Sequence, residues 1–164
     1  PPDSTAVGTS LQQQLMPLIE RAKAMATLQG RPWLGPDNWP AWATESARVT
    51  ATAEIVANLL ENAFRYSPSG TAIGLMALPD GLCIWDEGPP IDADERDAIF
   101  QEGVRGQRGR DRPGTGLGLA LARQLAENDG GTLELCVEPS RLAAELPQQG
   151  NAFHLTWSEP EAPT

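Results

Sequence analysis

Between Thr52 and Tyr66 the sequence carries two periodic stripes at once. Val56, Leu59, Leu60 and Ala63 fall at i, i+3, i+4 and i+7, which predicts a helix with one apolar face turned to a core. Asn58, Asn62, Arg65 and Tyr66 recur at the same spacings and line a second, polar face. Two carboxamides, a guanidinium and a phenol on one side form either an ordinary solvated face or the wall of a site for a metal–phosphate group. Pro68-Ser69-Gly70 stops the helix, and two apolar runs follow, Thr71 to Leu78 and Leu82 to Trp85. Pro79-Asp80-Gly81 between them is a strong turn signal, so a β-hairpin is expected directly after the helix.

The rest of the chain adds alternating elements around this unit. Pro1 to Ser10 is small and polar, a frayed leader; Leu11 to Gln29 reads as a helix with Leu15, Leu18, Ile19 and Ala22 on one stripe and Gly30 closing it. Arg31 to Ala43 holds Trp33, Trp39 and Trp42 among prolines and is expected to give a short strand and then irregular chain. Asp86 ends the second hairpin strand, and Asp94 to Phe100 is long enough for a short helix. Gln101 to Pro113 is rich in Gly and Arg with little to bury, which predicts a mobile segment. Gly114-Thr-Gly-Leu-Gly-Leu opens a helix running to about Asn128, carried by Leu117, Leu121 and Leu125. Thr132 to Val137 and Asn151 to Trp157 read as a final strand pair joined by a loose loop. Interleaved helices and antiparallel strand pairs predict an α/β sandwich: one mixed sheet covered on one face by three main helices. The expected organisation is a leader at 1–10, one domain at 11–158 and an acidic tail at 159–164.

Composition bounds the partners. A chain of 164 residues can close a single core. With 40% hydrophobic residues and no apolar run near a membrane span, no direct membrane contact is expected. The first residue is not Met, which suggests a piece of a longer polypeptide. A formal charge of −10 argues against nucleic acid as partner, and a bound triphosphate would need a cation to screen the repulsion. Cys83 and Cys136 sit in apolar, strand-like runs and read as buried small hydrophobes in a reducing compartment.

Two further signals carry chemistry. Glycines at 114, 116 and 118 stand just ahead of a helix, where backbone N–H groups and the helix dipole can approach an anion. The Gly-Lys-Ser/Thr ending of a Walker loop is missing, and RGQRGRDRP replaces the strand that a dinucleotide fingerprint requires before its glycines. A tight-packing glycine turn stays the alternative. Asp86, at the end of an apolar strand and two residues before Gly88, is either a turn-capping Asp or a ligand contact that accepts a hydrogen bond from an exocyclic amine.

Taken in order, NLLENAFRYSP (58–68), DEGPP (86–90), AIFQEGVR (98–105) and GTGLGLALA (114–122) are similar to the N box, first glycine box, F box and second glycine box of sensor histidine kinases. Residues 50 to 157 thus resemble the ATP-binding catalytic domain of that family, with its Bergerat ATP-binding fold. The wider group contains gyrase, the large heat-shock chaperone and mismatch-repair ATPases. The resemblance implies ATP and Mg2+ as ligands. It makes Asn62 the metal ligand, through its amide oxygen, with Asn58 one turn earlier supporting the site. Arg65 matches a basic residue reaching phosphate, where arginine makes two-pronged contacts. Tyr66 matches a position near adenine and ribose, and Asp86 the adenine-reading aspartate, with Gly88 letting the ring come close. Arg105 matches the arginine that reaches the terminal phosphate under a closed lid at about 87–113, with Phe100 as the lid's apolar peg. Gly114, Thr115, Gly116, Leu117 and Gly118 match the loop beside the triphosphate, and Leu119 and Leu121 the helix behind it. The implied partners are a histidine-containing dimerisation domain of the same parent kinase and a downstream response regulator, in the cytoplasm.

The sequence departs from the family pattern at two places. Position 90 is Pro where the first glycine box has its second Gly; proline fixes φ and lacks an N–H, which bears on lid geometry and nucleotide affinity. The family's phosphorylated histidine lies on a helical hairpin before this domain, whereas the sole histidine, His154, falls in the last expected strand and reads as structural. Two other functions remain open: a gyrase- or chaperone-type ATPase, and a degenerate module serving protein contacts. The former needs a Glu one turn before Asn62, where Asn58 stands; Glu61 is turned about 100° away around the helix.

Overall fold

A computed structural model describes residues 10–44, 49–101 and 118–157. Helix α1 (Leu11–Leu28) is followed by strand β1 (Trp33–Leu34), a 3-10 turn (Ala41–Thr44) and helix α2 (Val49–Tyr66). Strands β2 (Ile73–Leu78) and β3 (Gly81–Asp86) come next, then 3-10 turns at Ala93–Glu95 and Ala98–Phe100. Helix α3 (Gly118–Asn128), strand β4 (Thr132–Cys136), a 3-10 turn (Pro139–Arg141) and strand β5 (Asn151–Thr156) complete the described chain. The strands form one sheet in the order β1-β2-β3-β5-β4. β1 pairs parallel with β2, and every other neighbour is antiparallel, so the sheet is mixed as expected.

Strand alternation splits the sheet into two faces. Ile73, Leu75, Leu82, Ile84, Leu133, Phe153 and Leu155 pack with Leu15 and Ile19 of α1, Ile55 and Leu59 of α2 and Ala122 and Ala126 of α3 in one core. All three α-helices of the described chain lie on that face, as the sequence pattern predicts. The opposite face is not bare. Met76, Leu78, Cys83, Trp85 and Ala152 gather with Leu146, and Leu142 and Ala143 press against them, so the segment between β4 and β5 covers this face. β3 is central and buried at all six positions.

The irregular chain after β1 is held by its tryptophans. Trp42 donates its indole N–H to the Leu78 carbonyl at 2.5 Å, while Trp39 and Trp157 meet it edge-on at centroid distances of 5.9 and 4.8 Å. This corner ties the approach to α2 to the ends of β2 and β5.

Three expectations are corrected. Residues 94–100 form two separate 3-10 turns rather than one helix. In α3, Leu121 is 45% exposed, whereas Leu125 packs against the core as expected; the core-facing side is Leu119, Ala122, Leu125 and Ala126, and Leu117 lies outside the described residues. Leucines four apart mimic a stripe, but the sheet selects the side that carries the two alanines, on which Leu125 falls and Leu121 does not. Cys136 is only half-buried, because β4 is an edge strand with a single partner.

Leu59 lies wholly inside the main core. Leu59→Ala should therefore destabilise the fold by about 2–5 kcal/mol, read from denaturant midpoints at unchanged m-value. Burial pushes the Cys83 thiol from its ordinary value of 9.0 up to about 12. The folded chain thus keeps a proton that the unfolded chain releases, so stability should fall as pH rises from about 9 towards 12. Cys83→Ala should flatten that slope in urea titrations across this range.

Candidate functional site

Burial of Ile55, Val56, Leu59 and Ala63 fixes the rotation of α2, and the polar stripe follows from it. Asn58 and Asn62, one turn apart, are half-buried. Their amide Nδ2 atoms are shut off from solvent and have no hydrogen-bond partner among the described residues. Buried amides are ordinarily paired, so two such nitrogens stacked on one helix face are a feature of this helix that calls for a partner. One turn on, Arg65 Nη2 meets Glu61 Oε1 at 2.8 Å, with the two side chains 34% and 65% exposed. A pair so exposed costs little to open, about 0–1 kcal/mol, which leaves Arg65 free to be recruited. Tyr66 is half-buried at the last position of the helix.

Asp86 is the last residue of β3 and is 1% exposed. Its Oδ1 accepts a hydrogen bond from the Gly88 N–H at 2.7 Å, which closes a tight turn. A Cβ at position 88 would lie 2.8 Å from Asp86 Oδ1 and 3.1 Å from Pro68 Cδ, so only glycine fits between the carboxylate and the end of α2. The sequence reading missed Arg31, which is buried in the same neighbourhood. Its Nε donates to the Thr71 carbonyl at 2.9 Å, and its Nη2 donates to Ser67 Oγ, which in turn donates to the Ala63 carbonyl. Its guanidinium lies 5.4 Å from the Phe64 ring centroid. Burial lowers the Arg31 pKa, and the Asp86 charge opposes that shift. Arg31 therefore fixes the α2–β2 turn while placing positive charge near Asp86. No sequence signal marks it, since an Arg-Pro before a two-residue strand reads as a loop.

Phe100 is buried edge-on to Phe153 of β5 at 6.0 Å, and the Arg123 guanidinium of α3 covers its ring at 4.2 Å. Arg123 also reaches Glu134 of β4 at 3.5 Å. Ile91 and Ile99 are buried too, so the chain from Asp86 through Phe100 is anchored to the core. Gly118 and Leu119 open α3, with Leu119 packed against the core. Arg105, Gly114, Thr115, Gly116 and Leu117 lie outside the described residues.

Helix α2 is what these parts share: it packs against α3, which starts at Gly118, and against β3, which ends at Asp86. The elements carrying Asn58, Asn62, Asp86, Gly88 and Gly118 thus converge around one helix. No group of three or more His, Cys, Asp or Glu able to hold a metal occurs among the described residues. The donor set instead suits a hard cation shared with a phosphate, since a half turn of either carboxamide presents its oxygen. The buried Asp86 carboxylate accepts hydrogen bonds only and suits a ligand amine.

Comparison with known proteins bears on this arrangement. Residues 48–161 match the family of histidine kinase-, DNA gyrase B-, and HSP90-like ATPases. The sensor histidine kinase Hik2 of Thermosynechococcus vestitus is 35% identical over 133 residues, 76% of this chain and 34% of that protein. The sensor-like histidine kinase SenX3 of Mycolicibacterium smegmatis is 31% identical over 78% of this chain and 31% of that protein. The chain thus spans about a third of the length of these curated relatives. Among solved structures, the mycobacterial sensor histidine kinase MprB superposes with a TM-score of 0.66 at 24% identity, covering 91% of this chain and 95% of that one. The nucleotide-free catalytic domain of histidine kinase ThkA gives 0.67 at 18% identity, covering 90% and 91%. These likenesses show the same fold. With the matched family and the sheet-and-helix order in agreement, the chain belongs to the histidine kinase-, DNA gyrase B-, and HSP90-like ATPases, as an ATP-binding catalytic domain of the sensor histidine kinase type.

Proposed function

We propose that this domain binds Mg-ATP and presents its γ-phosphoryl group to a histidine on a separate dimerisation domain of its parent kinase, from which a response regulator takes the phosphoryl. The observation that carries this reading is the pair of solvent-shielded amide nitrogens of Asn58 and Asn62, unpartnered among the described residues, on a helix that packs against both β3 and α3. In this reading Asn62 holds the cation and Asn58 supports it. Arg65 leaves Glu61 for phosphate, and Asp86 accepts from the adenine amine beside Gly88, with Tyr66 nearby. Gly114, Thr115, Gly116, Leu117 and Gly118 floor the triphosphate, with Leu119 behind them. Arg105 reaches the terminal phosphate from the lid at about 87–113, with Phe100 as its peg. The cation, when bound, supplies charge neutralisation; the chain's own work is positioning. The P–O bond to ADP breaks as the P–N bond to the acceptor histidine forms, and the acceptor's proton leaves to a base outside this chain. His154 is unsuited as acceptor, because it is half-buried in β5 with its Nε2 facing Asp80 at 3.6 Å.

A self-contained ATPase of the gyrase type finds less support. Asn58 occupies the place of the water-activating Glu, and Glu61 points out to Arg65. The use of ATP and of a response regulator fits work in the cytoplasm, and the acidic charge fits protein rather than nucleic-acid partners.

Asn62→Ala should weaken Mg-ATP binding at least about tenfold in calorimetry while the unfolding midpoint stays close to that of the parent chain. Unchanged affinity would remove Asn62 from the site. Mixed with histidine-bearing dimerisation domains and γ-labelled ATP, the domain should label the partner's histidine and leave His154 unlabelled; label released only as free phosphate would favour the ATPase reading.

A further inference from the structure

The segment after Asp86 holds the one residue at which the first glycine box departs from the family pattern, Pro90. Pro90 is exposed, but the residues on either side of it are held by a single side chain from another strand. Asn151, the first residue of β5, is 0% exposed. Its Nδ2 donates to the Pro89 carbonyl at 2.9 Å, and its Oδ1 accepts from the Ile91 N–H, also at 2.9 Å. Both functions of the amide are thus spent on the two peptides flanking Pro90. The clamp acts next to the carboxylate, because Asn151 stands opposite Asp86 in the β3–β5 register. Gly150 lies so close that a Cβ there would come 2.2 Å from the Asp86 carbonyl oxygen. Ile91, the far end of the clamped stretch, is buried in the main core.

These contacts form a chain of constraint. Asn151 fixes Pro89 and Ile91, and Pro90 removes one backbone torsion and one N–H between them. Gly88, directly before, is then held where its N–H meets Asp86 Oδ1. A loose glycine at position 90 would let Gly88 drift and the carboxylate rotate. We propose that Asn151 is a positioning residue that, together with Pro90, presets the turn after Asp86, so that the carboxylate already faces an adenine amine before nucleotide arrives. Pro90 thereby strengthens rather than weakens nucleotide selection. This rests on the Mg-ATP reading above, and on Asp86 as the group that tells adenine from guanine. The ordering is done during folding and is not charged again to binding.

Calorimetry with Mg-ATP and with Mg-GTP on the intact chain and two variants tests it. Asn151→Ala removes both hydrogen bonds and should lower ATP affinity about tenfold while GTP changes less than about twofold, so the preference for ATP collapses. A general loss of structure would instead weaken both nucleotides alike. Pro90→Gly removes no buried atom and so keeps the test open if Asn151→Ala fails to fold; it should lower ATP affinity about threefold in the same adenine-selective way. An unchanged ATP-to-GTP ratio in either variant that keeps the parent's unfolding midpoint, or tighter ATP binding by Pro90→Gly, overturns the proposal. No heat from Mg-ATP with the parent chain would overturn the nucleotide reading itself, a result distinct from binding that ignores positions 90 and 151.

Discussion

Burial of Ile55, Val56, Leu59 and Ala63 against the sheet leaves helix α2 a single rotational setting. Everything chemical on the helix inherits that setting. An α-helix advances about 100° per residue, so a stripe locked into the core dictates where residues three and four positions away must point. Asn58 and Asn62 have no say in the matter: their amides are carried to a half-buried face whether or not a partner awaits them. Among the described residues, nothing pairs with the two amide nitrogens there. The energy to tolerate them comes from the apolar side of the same helix.

Loops around the site are held by polar side chains far away in sequence rather than by local structure. Arg31 grips the turn after α2, Asn151 grips the stretch after β3, and Arg123 covers the ring of Phe100. Each of these side chains serves backbone or ring partners that would otherwise be loosely held or unsatisfied. Two of the three are cations in a chain of formal charge −10, so their retention near the core also offsets the surrounding acidity.

What was legible in the sequence follows the same division. The helix over 52–66, the hairpin at Pro79-Asp80-Gly81 and the final strand pair were readable, because periodicity and turn chemistry are local and strong there. The motif order was readable as well and led to the family. The phase of α3 was only partly so: Leu121 is as apolar as Leu119 and Leu125, and only the position of the sheet turns it outward while they pack against the core. The clamps were invisible for a different reason. Arg31 and Asn151 act over 36 to 62 residues of chain, and neither spacing nor composition signals such a contact. The tryptophan corner was likewise unreadable, since its contacts form only once β2 and β5 flank β3 in the sheet.

The alanine face of α3 has a consequence of its own. Ala126 lies beside Thr52 and Ile55 of α2 around a small gap, and Ala122 is fully enclosed. Methyl-sized spacers therefore gauge the separation of two helices, one bearing the paired carboxamides and the other opening at Gly118. A bulkier residue would act as a wedge, prising the two helices apart. The spacing of α2 and α3 is thus set by side chains enclosed in the core.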